Sequence, residues 1–148
     1  RVSDLTPLAG LTALRDLNLW DTRVTDATPL NVLTSLQRLD LGNTEVSNTT
    51  PFAGLTALQS LNLSGTQVSD ATPLAGLAAL QTLDLSGTQV SDATPLAGLT
   101  ALETLDITGT RITDVSALRQ PKLRIVGGPS GSGRAASAIR RTLFDRKP

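Results

Sequence analysis

Residues 64–77 and residues 86–99 both read SGTQVSDATPLAGL, fourteen identical positions displaced by 22. A period of that length belongs to neither a helix nor a strand alone. It marks a supersecondary unit used several times, and such units bury their apolar faces by stacking on one another. The repetition therefore points to a solenoid rather than to a globular core.

The leucines carry the period through the chain. Leu14, Leu36, Leu58, Leu80 and Leu102 form one column, and Leu17, Leu39, Leu61, Leu83 and Leu105 a second. Leu19, Leu41, Leu63, Leu85 and Ile107 form a third. Each unit reads L-x-x-L-x-L-x-x-T, and the alternation inside L-x-L predicts a short strand with one buried face. Strands are expected near 16–19, 38–41, 60–63, 82–85 and 104–107, parallel and about 4.8 Å apart.

Thr22, Thr44, Thr66, Thr88 and Thr110 follow the strands. A threonine there can turn its methyl inward while its oxygen caps the turning backbone. Val24, Val46, Val68, Val90 and Ile112 then point into the core. Asp26, Asn48, Asp70, Asp92 and Asp114 precede segments of the A-T-P-L kind, as N-caps of a 3₁₀ or helical turn. Pro29, Pro51, Pro73 and Pro95 exclude a strand from this return path. Gly54, Gly76 and Gly98 are expected to let the chain turn back towards the next strand.

The pattern L-x-x-L-x-L-x-x-T-x-V-[ST]-D-x-x-P-L-x-x-L resembles the bacterial leucine-rich repeat, in the 22-residue version found in internalins. The resemblance covers residues 2–126 and implies an α/β-type solenoid: mostly parallel β, with 3₁₀ or loop returns, wound as a right-handed coil. It also implies a protein-binding surface on the concave strand face. Such repeats usually carry Asn where this chain has Thr22 to Thr110, so a thinner ladder of side-chain hydrogen bonds between coils is expected.

The two ends depart from the pattern. Val2, Asp4 and Leu8 align with Val24, Asp26 and Leu30, so the chain opens in mid-repeat on Arg1, and further chain upstream is expected. Near the other end Ala117 stands in the proline position and Arg119-Gln120-Pro121 replaces the regular A-G-L. Residues 122–126 read as a last strand, shifted by one residue. Residues 127–134 are read as a Gly/Ser linker and residues 135–148 as a basic tail. That tail has Ala135, Ile139 and Leu143 on one helical stripe, and capping of the final coil is favoured over contact with an acidic partner or membrane surface and over disorder.

Composition removes several kinds of chemistry. The 148 residues contain no Cys and no His, so thiolate metal sites, a cysteine nucleophile and the usual neutral-pH general base are absent. Net charge is zero but divided. Residues 1–133 hold 8 basic and 12 acidic side chains, a net of −4, and residues 134–148 hold 5 basic and 1 acidic, a net of +4. The acidic body has no nucleic-acid footprint. No apolar run approaches the ~20 residues of a transmembrane helix.

The residues between the leucines are expected to line the concave face. One column is Asp16, Arg38, Ser60, Thr82 and Thr104, and the next is Asn18, Asp40, Asn62, Asp84 and Asp106. Trp20 heads a column of Gly42, Ser64, Ser86 and Thr108, and Asp21 heads one of Asn43, Gly65, Gly87 and Gly109. An indole among such small residues should stand proud of the sheet, and exposed Trp is enriched at binding hot spots. Covering apolar surface at the first coil is the structural alternative. Asp84 and Asp106 face each other in register. They could share a calcium ion, but with only hydroxyl neighbours they lack the six oxygens calcium takes, and a solvated acidic stripe is favoured. Carboxylates in a row on an open sheet do not make the two-sided cleft of a glycosidase.

Residues 128–133 fit G-x-x-x-x-G but are followed by Arg134 and Ala135 where a phosphate-binding loop needs Lys and Ser or Thr, so a linker is favoured. Asn48 and Asn62 lie in N-x-[ST] triplets, read as accidental. The resulting expectation is a non-catalytic protein-recognition module, without cofactor or metal, forming part of a larger protein. Its contacts are expected at Asp16, Asn18, Trp20, Asp21, Arg38, Asp40, Asn62, Asp84 and Asp106. The alternative is a structural spacer, or a sensor region of a larger effector or nucleotide-binding enzyme whose catalytic domain lies elsewhere.

Overall fold

A computed structural model describes residues 2–127; the expected linker beyond Gly127 and the expected capping tail lie outside the described residues. Six three-residue strands form one parallel sheet in sequence order: β1 (Asp16–Asn18), β2 (Arg38–Asp40), β3 (Ser60–Asn62), β4 (Thr82–Asp84), β5 (Thr104–Asp106) and β6 (Arg124–Val126). Each of the first four pairings joins residues 22 apart, as in Leu61 with Leu83. This is the spacing the leucine columns predict. The returns are 3₁₀ turns at Thr6–Leu8, Thr28–Val32, Thr50–Phe52, Thr72–Gly76 and Thr94–Gly98, each with its proline in the first turn. Proline has no N–H to lose there and its fixed φ suits the turn.

The core lies between sheet and returns as a stack of equivalent layers. In the fourth layer Leu83, Leu85, Val90, Leu96 and Leu99 are all fully buried. Burial of such a side chain contributes about 1.5–3 kcal/mol, and each layer repeats it. Phe52 stands 22 residues from Leu30 and Leu74, at the leucine position of the return, and is equally buried.

Two backbone ladders join successive coils. One continues the sheet beyond the strands, as when the Leu63 N–H donates to the Asp84 carbonyl at 2.8 Å. The other runs beyond the threonines, where the Gln67 N–H donates to Val46 O at 2.9 Å and the Gln89 N–H to Val68 O at 3.0 Å. The threonine hydroxyls act within a coil. Thr44, Thr66, Thr88 and Thr110 are buried, and each donates its hydroxyl to the carbonyl three residues earlier at 2.7–2.8 Å. Cohesion between coils at this level is therefore carried by main chain.

Three local expectations are corrected. Asp26, Asn48, Asp70 and Asp92 stand one residue before the N-cap position, Asp114 precedes no 3₁₀ turn, and in all five the Oδ1 accepts the N–H two residues on at 2.8–3.0 Å. The cap residues proper, such as Ala71 and Ala93, contribute no side-chain bond. The side-chain oxygen closes an Asx turn instead. Gly54, Gly76 and Gly98 are not at a left-handed turn; a β-carbon at Gly54 or Gly76 would meet nothing within 4 Å. The left-handed position lies after the strand, at Asp21, Asn43, Gly65, Gly87, Gly109 and Gly127, with φ between 58° and 79°. Finally, β6 pairs Arg124 with Thr104 and Ile125 with Leu105, 20 residues apart. The last coil is two residues short, not shifted by one, because the stretch holding Arg119-Gln120-Pro121 forms no 3₁₀ turn.

Gln120 fills the space so created. It is 6% exposed, and its Nε2 donates to Leu96 O at 2.9 Å and Leu99 O at 3.2 Å. A polar side chain is held in the last layer by the carbonyls that end the preceding return.

Candidate functional site

The strand face carries the side chains that the core does not use. Between the leucines, side chains at alternate positions leave the sheet on its outer side. Parallel register places Asp16 beside Arg38 and Asp84 beside Asp106. A shallow depression of about 540 Å³ opens across β1 to β4. Asp16, Asn18, Arg38, Asp40, Asn62 and Asp84 line it, with Ser60 and Thr82 between them and Leu17, Leu39 and Leu61 completing the lining. Of the side chains expected from sequence, Trp20, Asp21 and Asp106 lie outside its lining.

The Asn/Asp column repeats one hydrogen bond from coil to coil. The Oδ1 atoms of Asn18, Asp40, Asn62, Asp84 and Asp106 accept the N–H groups of Trp20, Gly42, Ser64, Ser86 and Thr108 at 2.8–3.0 Å. Ser86 Oγ adds a donation to Asp84 Oδ1 at 2.6 Å. These side chains thus shape the exit from each strand and, with the second oxygen or the amide nitrogen, can still meet a ligand. Asp84 and Asp106 each spend an oxygen on their own main chain. The signal for this role was in the sequence: every member of the column owns an Oδ1, while its charge varies.

Asp16 and Arg38 form an exposed ion pair at 3.4 Å across β1 and β2. Its open geometry makes it worth little in stability, but it draws the Arg38 charge towards Asp16. Five residues further along the same two coils, Asn43 Nδ2 donates to Asp21 Oδ1 at 2.8 Å.

Trp20 is 55% exposed. Its indole does not stand clear of the sheet as expected. It leans over the next coil, and a β-carbon at Gly42 would lie 2.8 Å from Trp20 Cδ1, 3.0 Å from Asn62 Nδ2 and 3.1 Å from Ser64 Oγ. Glycine at 42 makes the room the ring occupies. Val2, Leu11 and Val32 in the first two coils are also exposed, as is Val126 in the last strand.

A single parallel sheet backed by short 3₁₀ returns, repeating every 22 residues, defines a repeat solenoid with one broad polar face. The chain belongs to the leucine-rich repeat family: the family described as Leucine Rich repeats (2 copies) matches residues 34–76 and 78–120. Among solved structures it is similar to an internalin (inlF) of Listeria monocytogenes, with 38% identity and TM-score 0.80 over 84% of this chain and 37% of that one. Internalin C2 (inlC2) of the same species gives 41% identity and TM-score 0.76 over 79% of this chain and 52% of that one. A leucine-rich repeat protein of Leptospira interrogans shares the fold at 21% identity, TM-score 0.80, over 99% of this chain and 39% of that one. The chain thus spans about half or less of the length of these proteins. Comparison with curated proteins gives no match. The repeats and the internalin likeness mark a bacterial-type protein-interaction module. Among the described residues no helix is long and apolar enough to cross a membrane.

Proposed function

We propose that the chain is a non-catalytic recognition module that engages a partner protein on its strand face. The contact area is formed by Asp16, Asn18, Trp20, Asp21, Arg38, Asp40, Asn62, Asp84 and Asp106. The observation that carries the reading is the depression across β1 to β4, where polar side chains that the core does not need stand among Leu17, Leu39 and Leu61. The Asx turns hold the floor of that surface rigid, so docking costs little ordering entropy. Exposed Trp20 at its edge supplies the aromatic anchor that interfaces favour.

The test compares two faces of the same molecule. Asp84→Arg with Thr82→Arg alters the strand face, and Thr72→Arg with Thr94→Arg alters the return face. Proteins retained by the immobilised wild-type chain should be released by the first pair and kept by the second. Retention by both pairs, with melting curves unchanged, would remove the strand face as the docking surface.

A further inference from the structure

The depression across β1 to β4 is unbalanced in charge. Asp16, Asp40 and Asp84 line it against one cation, Arg38, a net of −2. Arg38 is drawn to Asp16 at 3.4 Å, and among the described residues no ion pair reaches Asp40 or Asp84. Both of these carboxylates are half-buried. Each gives its Oδ1 to a main-chain N–H, that of Gly42 for Asp40 and that of Ser86 for Asp84, both at 2.9 Å.

The fold uses the oxygen and not the charge. Asn18 and Asn62, in the same column, make the same hydrogen bond at the strand exit with a neutral side chain. Asp84 moreover stands in register with Asp106 on the neighbouring strand. Like charges placed opposite each other on a sheet repel, so this column carries a charge that costs stability where asparagine would serve the turn. A cationic ligand offsets that repulsion. One metal ion cannot serve Asp40 and Asp84 together, because two strand spacings, roughly 9.6 Å, separate them and a calcium ligand sits about 2.4 Å from its ion. Two long cationic side chains can. Their methylene stems lie on apolar surface while the heads meet carboxylates, and Leu17, Leu39 and Leu61 supply such surface in the same lining.

We propose that the depression takes a basic segment of the partner protein, with one lysine or arginine at Asp40 and a second at Asp84. The proposal rests on the strand-face reading and gives the partner its charge. Each carboxylate accepts charge-assisted hydrogen bonds through the oxygen that its own main chain does not use. Arg38, held at Asp16, directs the segment away from β1 and towards β2 to β4.

The probe is acetyl-Lys-Gly-Gly-Lys-amide titrated into the full chain, with acetyl-Glu-Gly-Gly-Glu-amide as its opposite in charge. Saturable NMR shifts centred on the Gly42 and Ser86 N–H groups are expected from the lysine peptide. Its binding should weaken at least about threefold between about 0.01 M and about 0.15 M salt, as screening sets in. Asp40→Asn with Asp84→Asn should weaken it at least about fivefold. That pair keeps both Oδ1 atoms, so its melting curve should show a folded chain. Asp70→Asn with Asp92→Asn removes the same net charge from the return path and should leave the affinity unchanged. Equal binding of the glutamate peptide, or equal loss in the two double variants, would overturn the proposal. So would calcium chloride moving the Asp84 and Asp106 signals where the lysine peptide moves none. The Asn pair on the strand face also separates this proposal from the reading it rests on. Retained proteins released by Asp84→Arg with Thr82→Arg but kept by Asp40→Asn with Asp84→Asn would leave the strand face standing and reject its basic occupant. Release by neither would reject the strand face itself.

Discussion

Asn43 Nδ2 donates to Asp21 Oδ1 at 2.8 Å, and the two residues stand one coil apart in left-handed backbone, with φ of 58° and 59°. The next three coils place Gly65, Gly87 and Gly109 there, with φ of 67°, 71° and 73°. Asn and Asp are the side-chain-bearing residues that tolerate this region best. The first two coils use that tolerance to gain a bond between coils, and the later ones take the unstrained residue.

Gly87→Ala should therefore destabilise the chain by about 1 kcal/mol, the cost of left-handed backbone for a residue with a β-carbon. Space is not the cause, because the added methyl would meet Gly65 N and Cα at 3.6 and 3.7 Å, ordinary contact. Gly87→Asn should cost less than the alanine. Urea midpoints at unchanged m-value read the difference. Equal cost for Ala and Asn would contradict a left-handed turn at this position. Gly76→Ala, in open space at ordinary φ, should be tolerated.

Thr88→Val keeps the buried shape and deletes one donor. Thr88 is 2% exposed and its hydroxyl donates to Leu85 O at 2.7 Å. The same carbonyl accepts the Thr88 N–H at 3.2 Å, so it is not left bare. The loss should be about 1 kcal/mol, the net worth of a hydrogen bond. Thr88→Ser should also lose stability, through its missing methyl. A Val variant as stable as wild type would mean that the threonine column is kept for its methyl alone.

The fold was legible because its cause is periodic. Leucine columns 22 apart state both the layer and the register, and Leu61 pairs with Leu83 as they require. What was not legible is whatever depends on a backbone angle. Gly76 and Gly87 look alike in the sequence, yet only Gly87 has a positive φ. The Asn18-to-Asp106 column was read by its charge, whereas its shared Oδ1 does the turning at each strand exit. Trp20 was placed on the right face, but its lean over Gly42 depends on a neighbour one coil away. The shortened last coil was visible as a broken pattern around Gln120. Its extent of two residues follows only from the pairing of Arg124 with Thr104.

The return-path carboxylates set an acid limit. Asp26, Asp70 and Asp92 are held below the ordinary 3.8 by the side chain and then the N–H of Thr28, Thr72 and Thr94. Ser116 does the same for Asp114. A carboxylate whose folded pKa lies below its unfolded one stabilises the fold fully above the unfolded value. It loses that contribution as pH falls through the folded value. Denaturation midpoints should stay level from neutral pH down to about 5 and decline below about 4. The double variant Asp70→Asn, Asp92→Asn should decline less, since Asn48 already makes the same turn without a charge. An identical acid profile for wild type and double variant would remove these carboxylates as its source.

The fit of Trp20 to Gly42 gives the sharpest local test. A methyl at 42 would lie 2.8 Å from Trp20 Cδ1, too close for any undisturbed contact. The obstacle is the far end of an exposed side chain, so the ring can yield where a core residue could not. Gly42→Ala should accordingly cost under about 1 kcal/mol, as a surface substitution that displaces one side chain. It should shift the single tryptophan emission to longer wavelength as the indole lifts into water. Gly87→Ala, two coils distant, controls for general loosening: it lowers stability while leaving the emission of the folded state alone. If Gly42→Ala left the emission maximum unmoved, the indole would not rest on residue 42.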